Sequence, residues 1–228
     1  FVGKGRADWD SENLIKLVRE LQPDILVDDR LDLDAVVGGW DYRTPEQFMM
    51  RKWLEWKGQR GVWETCQTFS GSWGYYRDEA TWKSVDQLLM LLIDTVGKGG
   101  NLLLGVGPSP LGEIPRDAES RLREIGAWLK INGEAIYGAR PVAPYQEGNV
   151  RFTKKGGVIF AIVLPDADGT PPDKIVITSF RPAAGAAIEL LGGRAALESM
   201  PLAQGFEVRL PRELPGPHAW AIKFRADV

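Results

Sequence analysis

Cysteine and histidine are almost missing from these 228 residues: there is one of each, Cys66 and His218. One cysteine allows no disulfide within the chain. A thiol nucleophile needs a histidine beside it, and His218 stands far along the chain. Cys66 is therefore expected to be a small core residue. The same scarcity excludes His/Cys metal sites and argues against a Ser-His-Asp triad. No basic block is longer than a pair, and the net charge is −3, so there is no electrostatic footprint for nucleic acid or an anionic membrane. No apolar run approaches the ~20 residues that a membrane span needs. No signal-peptide pattern opens the chain, and Phe1–Arg6 reads as a loop entered from something upstream. No cofactor and no metal are expected. What is present is ordinary for a globular protein: 44% apolar and 26% charged residues, enough for one or two domains with a sizeable core.

Taken in order, the chain alternates helical and strand signals. Leu14, Ile15, Leu17, Val18 and Leu21 are apolar at helical spacing after Ser11, and Pro23 stops the pattern. Asp8 and Asp10 fit as capping charges at the approach to this helix. Asp24–Asp28 then reads as a short buried strand ending in Asp28-Asp29-Arg30. Leu31 to Gly61 is long and irregular, which in a compact domain marks functional or disordered chain. A strand is expected at Val62–Gln67, then a helix opened by Ser84 with Gln87 at the capping-box position. Asn101–Val106 reads as a fully buried strand. A third helix, about Asp117 to Ile131, should end on a left-handed stop at Asn132-Gly133.

This order implies parallel α/β organisation with long loops after the strands. The fold expected is α/β: a partial (β/α)8-type barrel, its C-terminal half, over residues 1–141. Beyond Arg140-Pro141 no helical face recurs. Val158–Leu164, Lys174–Thr178, Ala187–Leu191, Phe206–Leu210 and Ala219–Phe224 are short apolar runs between turns. Residues 142–228 are therefore expected to form a small antiparallel β-sandwich. Gly97–Gly100 is no phosphate loop, because it lacks the Gly-Lys-Ser/Thr ending and precedes a strand.

The stretch Val62–Tyr75 carries the chemistry. A short strand with Glu64 runs into a Gly/Ser-rich loop with Trp73. A carboxylate beside exposed aromatic rings suits a sugar site. The alternative is that Trp63 and Trp73 are core residues and Glu64 pairs with an arginine.

Several ordered motifs carry a resemblance: Asp29-Arg30, Thr44-Pro45-Glu46, Trp63-Glu64-Thr65-Cys66, Ser72-Trp73-Gly74-Tyr75, Gly99 to Pro108 and Asn132 to Gly138. Together they resemble the C-terminal half of the α-L-fucosidases of glycoside hydrolase family 29, well over about residues 9 to 141 and only by position beyond. Gly105 stands where the family usually has Asn, and Asp28 where Asn often precedes Asp-Arg. The resemblance implies a retaining exo-α-L-fucosidase acting on fucosylated glycans. It implies Glu46 as the acid/base, with Glu64 as its rival. It further implies Arg30 as a ring-oxygen contact and Trp73, with Trp63, as an aromatic wall for the sugar. Arg30 could instead form a plain salt bridge with Asp28 or Asp29. The family's nucleophile motif does not occur here, so the nucleophile is expected to lie outside this chain. By resemblance the protein would be secreted, periplasmic or lysosomal.

The second class of reading is a non-catalytic carbohydrate-binding or assembly fragment. About three α/β units cannot close an eight-stranded barrel, so a complementing N-terminal segment or a homo-oligomer is expected. A metal-dependent hydrolase has little support, since no carboxylates stand at ligand spacing.

Overall fold

Ser84 and Gln87 start the helix around which the fold packs. In the computed structural model, which describes residues 5–226, the Gln87 N–H donates to the Ser84 hydroxyl and the Ser84 N–H donates to the Gln87 side chain. This reciprocal pair satisfies two donors that a helix start leaves open. The described residues form helices α1 (Ser11–Leu21), α2 (Val85–Gly97) and α3 (Arg116–Asn132). The strands are β1 (Glu55–Trp56), β2 (Gln59–Arg60), β3 (Trp63–Thr68) and β4 (Gly100–Gly105), then β5 (Arg140–Glu147), β6 (Val150–Lys155), β7 (Val158–Val163) and β8 (Lys174–Ile177). Four more follow: β9 (Glu189–Leu190), β10 (Ser199–Pro201), β11 (Phe206–Arg209) and β12 (Trp220–Arg225).

β3 and β4 pair in parallel, Trp63 opposite Gly100 and Thr68 opposite Gly105, with α2 as their crossover. β1 and β2 form a small hairpin. After α3 all registered pairing is antiparallel. One sheet runs β5-β6-β7-β12-β9 and a second runs β10-β11-β8.

The five-stranded sheet is buried on both faces, which explains the unbroken apolar run of β7. Ile159, Ala161 and Val163 share a core with Ile175 and Ile177 of β8 and with Phe206 and Val208 of β11. The alternate residues Phe160, Ile162 and Leu164 meet Leu89 and Ile93 of α2 and Trp128 of α3. Period-two alternation thus sends one half of β7 to each layer.

Polar groups pin the helices to this sheet. The Trp128 indole N–H donates to the Ala219 carbonyl at 2.7 Å, and the Asn132 amide oxygen accepts the Ala221 N–H at 3.1 Å. Thr153 donates to the Ala135 carbonyl at 2.8 Å. Asp94 on α2 takes Arg151 of β6 at 2.6 Å on one carboxylate oxygen and Lys98 on the other.

Several expectations are corrected. Asp24–Asp28 forms no strand; its only registered pairing is a bridge from Asp28 to Tyr42. One neighbour cannot bury both sides of a parallel segment, and Leu26 is 72% exposed. β4 is not fully buried, since Leu103 is 55% exposed on its open face. Gly133 does not stop α3 in the left-handed region; its φ is −61° and the chain continues into a 3-10 turn over Gly133–Ala135. The positive φ comes later, at Gly138. Gly133 is small because a β-carbon there would sit 2.9 Å from the Tyr137 ring. The capping-charge expectation holds for Asp10, which occupies the α1 cap position and whose carboxylate accepts from the Asn13 side chain. The change of character near residue 142 falls inside β5.

Asp94→Ala would strand Arg151 and Lys98 as partly buried cations. It should lower unfolding stability by about 3–5 kcal/mol, the usual cost of removing one partner of a buried ion pair. A urea titration of the assembled enzyme would show this as a lower midpoint with an unchanged slope.

Candidate active site

Three extended segments lie side by side in parallel ahead of β4. Asp41 N–H donates to the Val27 carbonyl at 2.7 Å, and Asp28 bridges Tyr42. Arg43 N–H then donates to Val62, Glu64 N–H to Arg43, Cys66 N–H to Pro45 and Gln47 N–H to Cys66. Pro45 has no N–H, so this ladder has a gap at its centre and the 41–47 segment registers only as bridges. Alternation places Tyr42, Thr44 and Glu46 on one face with Glu64 and Cys66 of β3 and Leu103 of β4. With Asp28, Arg30 and Trp73 they line an open cleft of about 370 Å³. A larger, open depression beside the start of α3, about 710 Å³, has Glu113, Arg116, Glu119 and Arg123 on its lining and converges no comparable set.

Arg30 organises the cleft. It sits in a 3-10 turn, Asp29–Leu31, whose start is capped by the Asp28 carboxylate accepting the Arg30 N–H at 3.1 Å. Its guanidinium donates from Nε to the Thr44 hydroxyl at 2.8 Å and from Nη2 to the Thr44 carbonyl at 3.0 Å. Nη1 meets Glu46 Oε2 at 2.7 Å, and Nη2 reaches Cys66 Sγ at 3.3 Å. Four of its five N–H groups are thereby engaged. The Glu46 hydrogen bond holds the Arg30 pKa above its ordinary value.

Asp29 does not pair with Arg30. It accepts from Arg43 at 3.3 Å and from the Thr44 N–H and hydroxyl, each at 2.9 Å. Arg43 in turn stacks on Trp56 at 4.0 Å and Trp40 at 4.8 Å. Asp41 fastens the outer segment, accepting from Val27 N–H at 2.7 Å and Arg19 at 2.5 Å. Burial pushes the Asp41 carboxyl up, but the bonds from Arg19 and Val27 outweigh it and hold the pKa below ordinary. Burial raises the Tyr42 phenol, and the charges of Glu64, Asp28 and Asp29 add to this. Tyr42 therefore stays a neutral phenol on a cleft lining it shares with Asp28 and Glu64.

Trp73 stands 45% exposed on the loop after β3. A β-carbon on Gly105 would meet its ring at 3.6 Å. Gly107, at φ 57°, passes so near Gly74 that a β-carbon would lie 3.0 Å from the Gly74 carbonyl oxygen. That close approach holds the Trp73 loop against the end of β4.

Arg30, Glu46, Glu64 and Trp73, singled out from the sequence, thus line one cleft. Trp63 does not. It is 1% exposed, its indole N–H bonds to the Lys98 carbonyl at 3.1 Å, and its ring fills the space a Gly100 β-carbon would need. Its parity on β3 is opposite to that of Glu64, so it faces away from the cleft. Cys66 is no core residue: it is half-buried on the cleft wall beside Arg30. Its spacing of two from Glu64 could have shown this. Asp28, Tyr42, Thr44 and Leu103 also join the lining unforeseen. Among the described residues no group of three His, Cys, Asp or Glu is placed to hold a metal ion, and no helix is long and apolar enough to cross a membrane.

Carboxylates and an aromatic ring thus gather around one arginine in a chain of mixed helix and sheet. The chain belongs to the α-L-fucosidase family: the family model "Alpha-L-fucosidase" matches residues 3–134. It is 33% identical over 178 residues to an α-L-fucosidase of Branchiostoma floridae, covering 73% of this chain and 39% of that protein. α-L-Fucosidase isoenzyme 1 of Paenibacillus thiaminolyticus superposes with a TM-score of 0.84 at 29% identity, over 96% of this chain and 54% of that one. The Thermotoga maritima α-fucosidase, solved in complex with fucose, gives 0.73 at 31% identity, over 94% and 48%. The chain therefore spans roughly half, or less, of the length of these relatives.

Asp41→Asn should weaken the fold at neutral pH. A depressed carboxylate pKa gives stability that is fully present above the ordinary Asp value of 3.8 and is lost as pH falls through the lower folded value. Melting temperatures of the two assembled enzymes should differ at pH 6 and converge in strong acid; a constant difference would contradict the Asp41 clamp.

Proposed function

We propose that these residues supply one part of a retaining exo-α-L-fucosidase that removes terminal α-L-fucosyl groups from glycans. The observation that carries this is the Arg30–Glu46 pair in a cleft edged by Trp73. In this reading residues 1–141 form the C-terminal part of a (β/α)8-type barrel and residues 142–228 a β-sandwich that braces it. The nucleophilic carboxylate comes from elsewhere in the assembled enzyme.

Glu46 is the acid/base. It sits at the cleft rim, half-exposed, where its carboxyl can reach a leaving-group oxygen. The nucleophile attacks the anomeric carbon and the glycosidic bond breaks, while Glu46 passes its proton to the departing oxygen. Glu46 then takes a proton from the water that releases fucose. A retaining pair of this kind places the nucleophile about 5–5.5 Å from the acid/base. Arg30 fixes Glu46 directly through Nη1, anchors the segment by the Thr44 carbonyl, and retains one N–H for a sugar oxygen. Trp73 covers the methyl and C–H face of fucose, an apolar patch that deoxy sugars offer. Glu64, lower on the cleft wall, meets a sugar hydroxyl and is the rival for the proton-transfer role.

Glu46→Gln in the assembled enzyme should reduce kcat/KM by roughly 10²–10⁴-fold on fucosides with poor leaving groups. Activated aryl fucosides should lose much less in the bond-breaking step. Unchanged turnover of poor-leaving-group substrates would remove Glu46 from this role, and a larger loss in Glu64→Gln would transfer it.

The apolar side of α1, with Leu14, Leu17 and Leu21, is exposed, as are Ile25 and Leu26. This favours a complementing segment over these elements, which in the second reading makes the chain an assembly or carbohydrate-binding piece. Residues 1–228 alone should release no fucose and show no cooperative monomeric melt; a sharp monomeric transition would contradict the need for a complement.

A further inference from the structure

Gly61-Val62 and Gly99–Asn101, at the amino ends of β3 and β4, open onto a second cleft of about 480 Å³. It lies at the opposite end of these strands from the loop carrying Trp73, and its charge is opposite too. Arg60, Lys98 and Arg140 are on its lining and no Asp or Glu is. The candidate active site has Asp28, Glu46 and Glu64 against Arg30 alone.

In a chain of net charge −3, three cations without a lining acid need a reason. Lys98 has one: it is buried and paired with Asp94, though Asp94 also serves Arg151. The two arginines have none. Among the described residues neither makes an ion pair with a carboxylate. The Arg60 guanidinium lies on the Trp53 ring at 4.0 Å, which orients it without using its N–H groups. Arg140 spends one donor, on the Ala139 carbonyl at 3.1 Å. Trp53 itself meets Tyr145 edge-on at 6.2 Å, so the ring has a fixed place. Asn101 adds an amide, and exposed Val62 a small apolar patch.

The geometry points to a binding site for an acidic saccharide, a sugar ring bearing a sulfate or carboxylate group. The planar guanidinium forks of Arg60 and Arg140 match the oxyanion. Trp53 and Val62 offer the apolar contact for the ring, and Asn101 can bond a hydroxyl. The volume is within the range of small-ligand sites. The saccharide part rests on the glycan-processing reading above; the anion part rests on charge alone. Binding here would tether a charged glycan away from the cleft that holds Arg30 and Glu46.

The test is calorimetric titration of the assembled protein with glucose 6-sulfate and with glucuronic acid. Glucose and inorganic sulfate are the controls. At least one acidic sugar should bind, weaken as salt is raised, and lose tenfold or more in affinity in Arg60→Gln/Arg140→Gln. Trp53→Ala should weaken the sugar but not sulfate, and Glu46→Gln should leave binding unchanged. Comparison of the two acidic sugars separates a sulfate preference from a carboxylate one. No binding of either, or binding undiminished in the double arginine variant, would overturn the site. Inorganic sulfate binding as tightly as both sugars would overturn its saccharide part. Fucose release by the unmutated enzyme, measured in parallel, separates failure of this site from failure of the fucosidase reading.

Discussion

One guanidinium holds the candidate active site together. Arg30 emerges from a turn that Asp28 caps and binds the Thr44 carbonyl and hydroxyl, the Glu46 carboxylate and the Cys66 sulfur. Three stretches far apart in sequence meet on it. The segment carrying Glu46 needs such a fastening because Pro45 interrupts its ladder with β3. A lysine could not do this: its ammonium is a point charge on a flexible stem, whereas the planar fork serves several acceptors in fixed directions. The same contacts hold the Glu46 carboxylate in place and engage four of the five guanidinium N–H groups.

Behind this site the fold is layered. The five-stranded sheet is shared, one face going to the three-stranded sheet and the other to α2 and α3. Asp94, Asn132, Trp128 and Thr153 fasten the helices to it with directed polar contacts. Apolar burial supplies most of the driving force, but it is non-directional. The polar contacts set where α2 sits, and α2 in turn sets where β3 and β4 present Glu64 and Leu103. The antiparallel sheets after α3 contribute no side chain to the cleft lining.

Much of this was legible from sequence because it depends on short-range chemistry. Ser84 and Gln87 spell a capping box, and the apolar steps of α2 spell its buried face. The strands after residue 150 follow apolar runs between turns. The failures have a common cause. Asp24–Asp28 and Asn101–Val106 have the composition of buried strands, yet burial requires neighbours that these residues alone do not provide. The placing of Trp63 in the core, one of the two readings its sequence allows, and of Cys66 on the cleft wall has a simpler reason. Side chains on β3 alternate, so whichever face Glu64 takes, Cys66 shares it and Trp63 does not. Gly133 looked like a helix stop, but the Tyr137 ring is what excludes a side chain there.

The residues by themselves determined the helices, most strands, the family and the cleft side chains Arg30, Glu46, Glu64 and Trp73. All of these rest on local spacing or on motif order. Only the tertiary structure decided that Arg30 pairs with Glu46 rather than with Asp28, Asp29 or Glu64. It alone showed that Asp29 serves Arg43 and Thr44, and that Arg60 and Arg140 share a cleft without an acid. Charge pairing depends on distances between side chains far apart along the chain. Those distances are set by strand register and turn geometry, which a string of residue types does not contain.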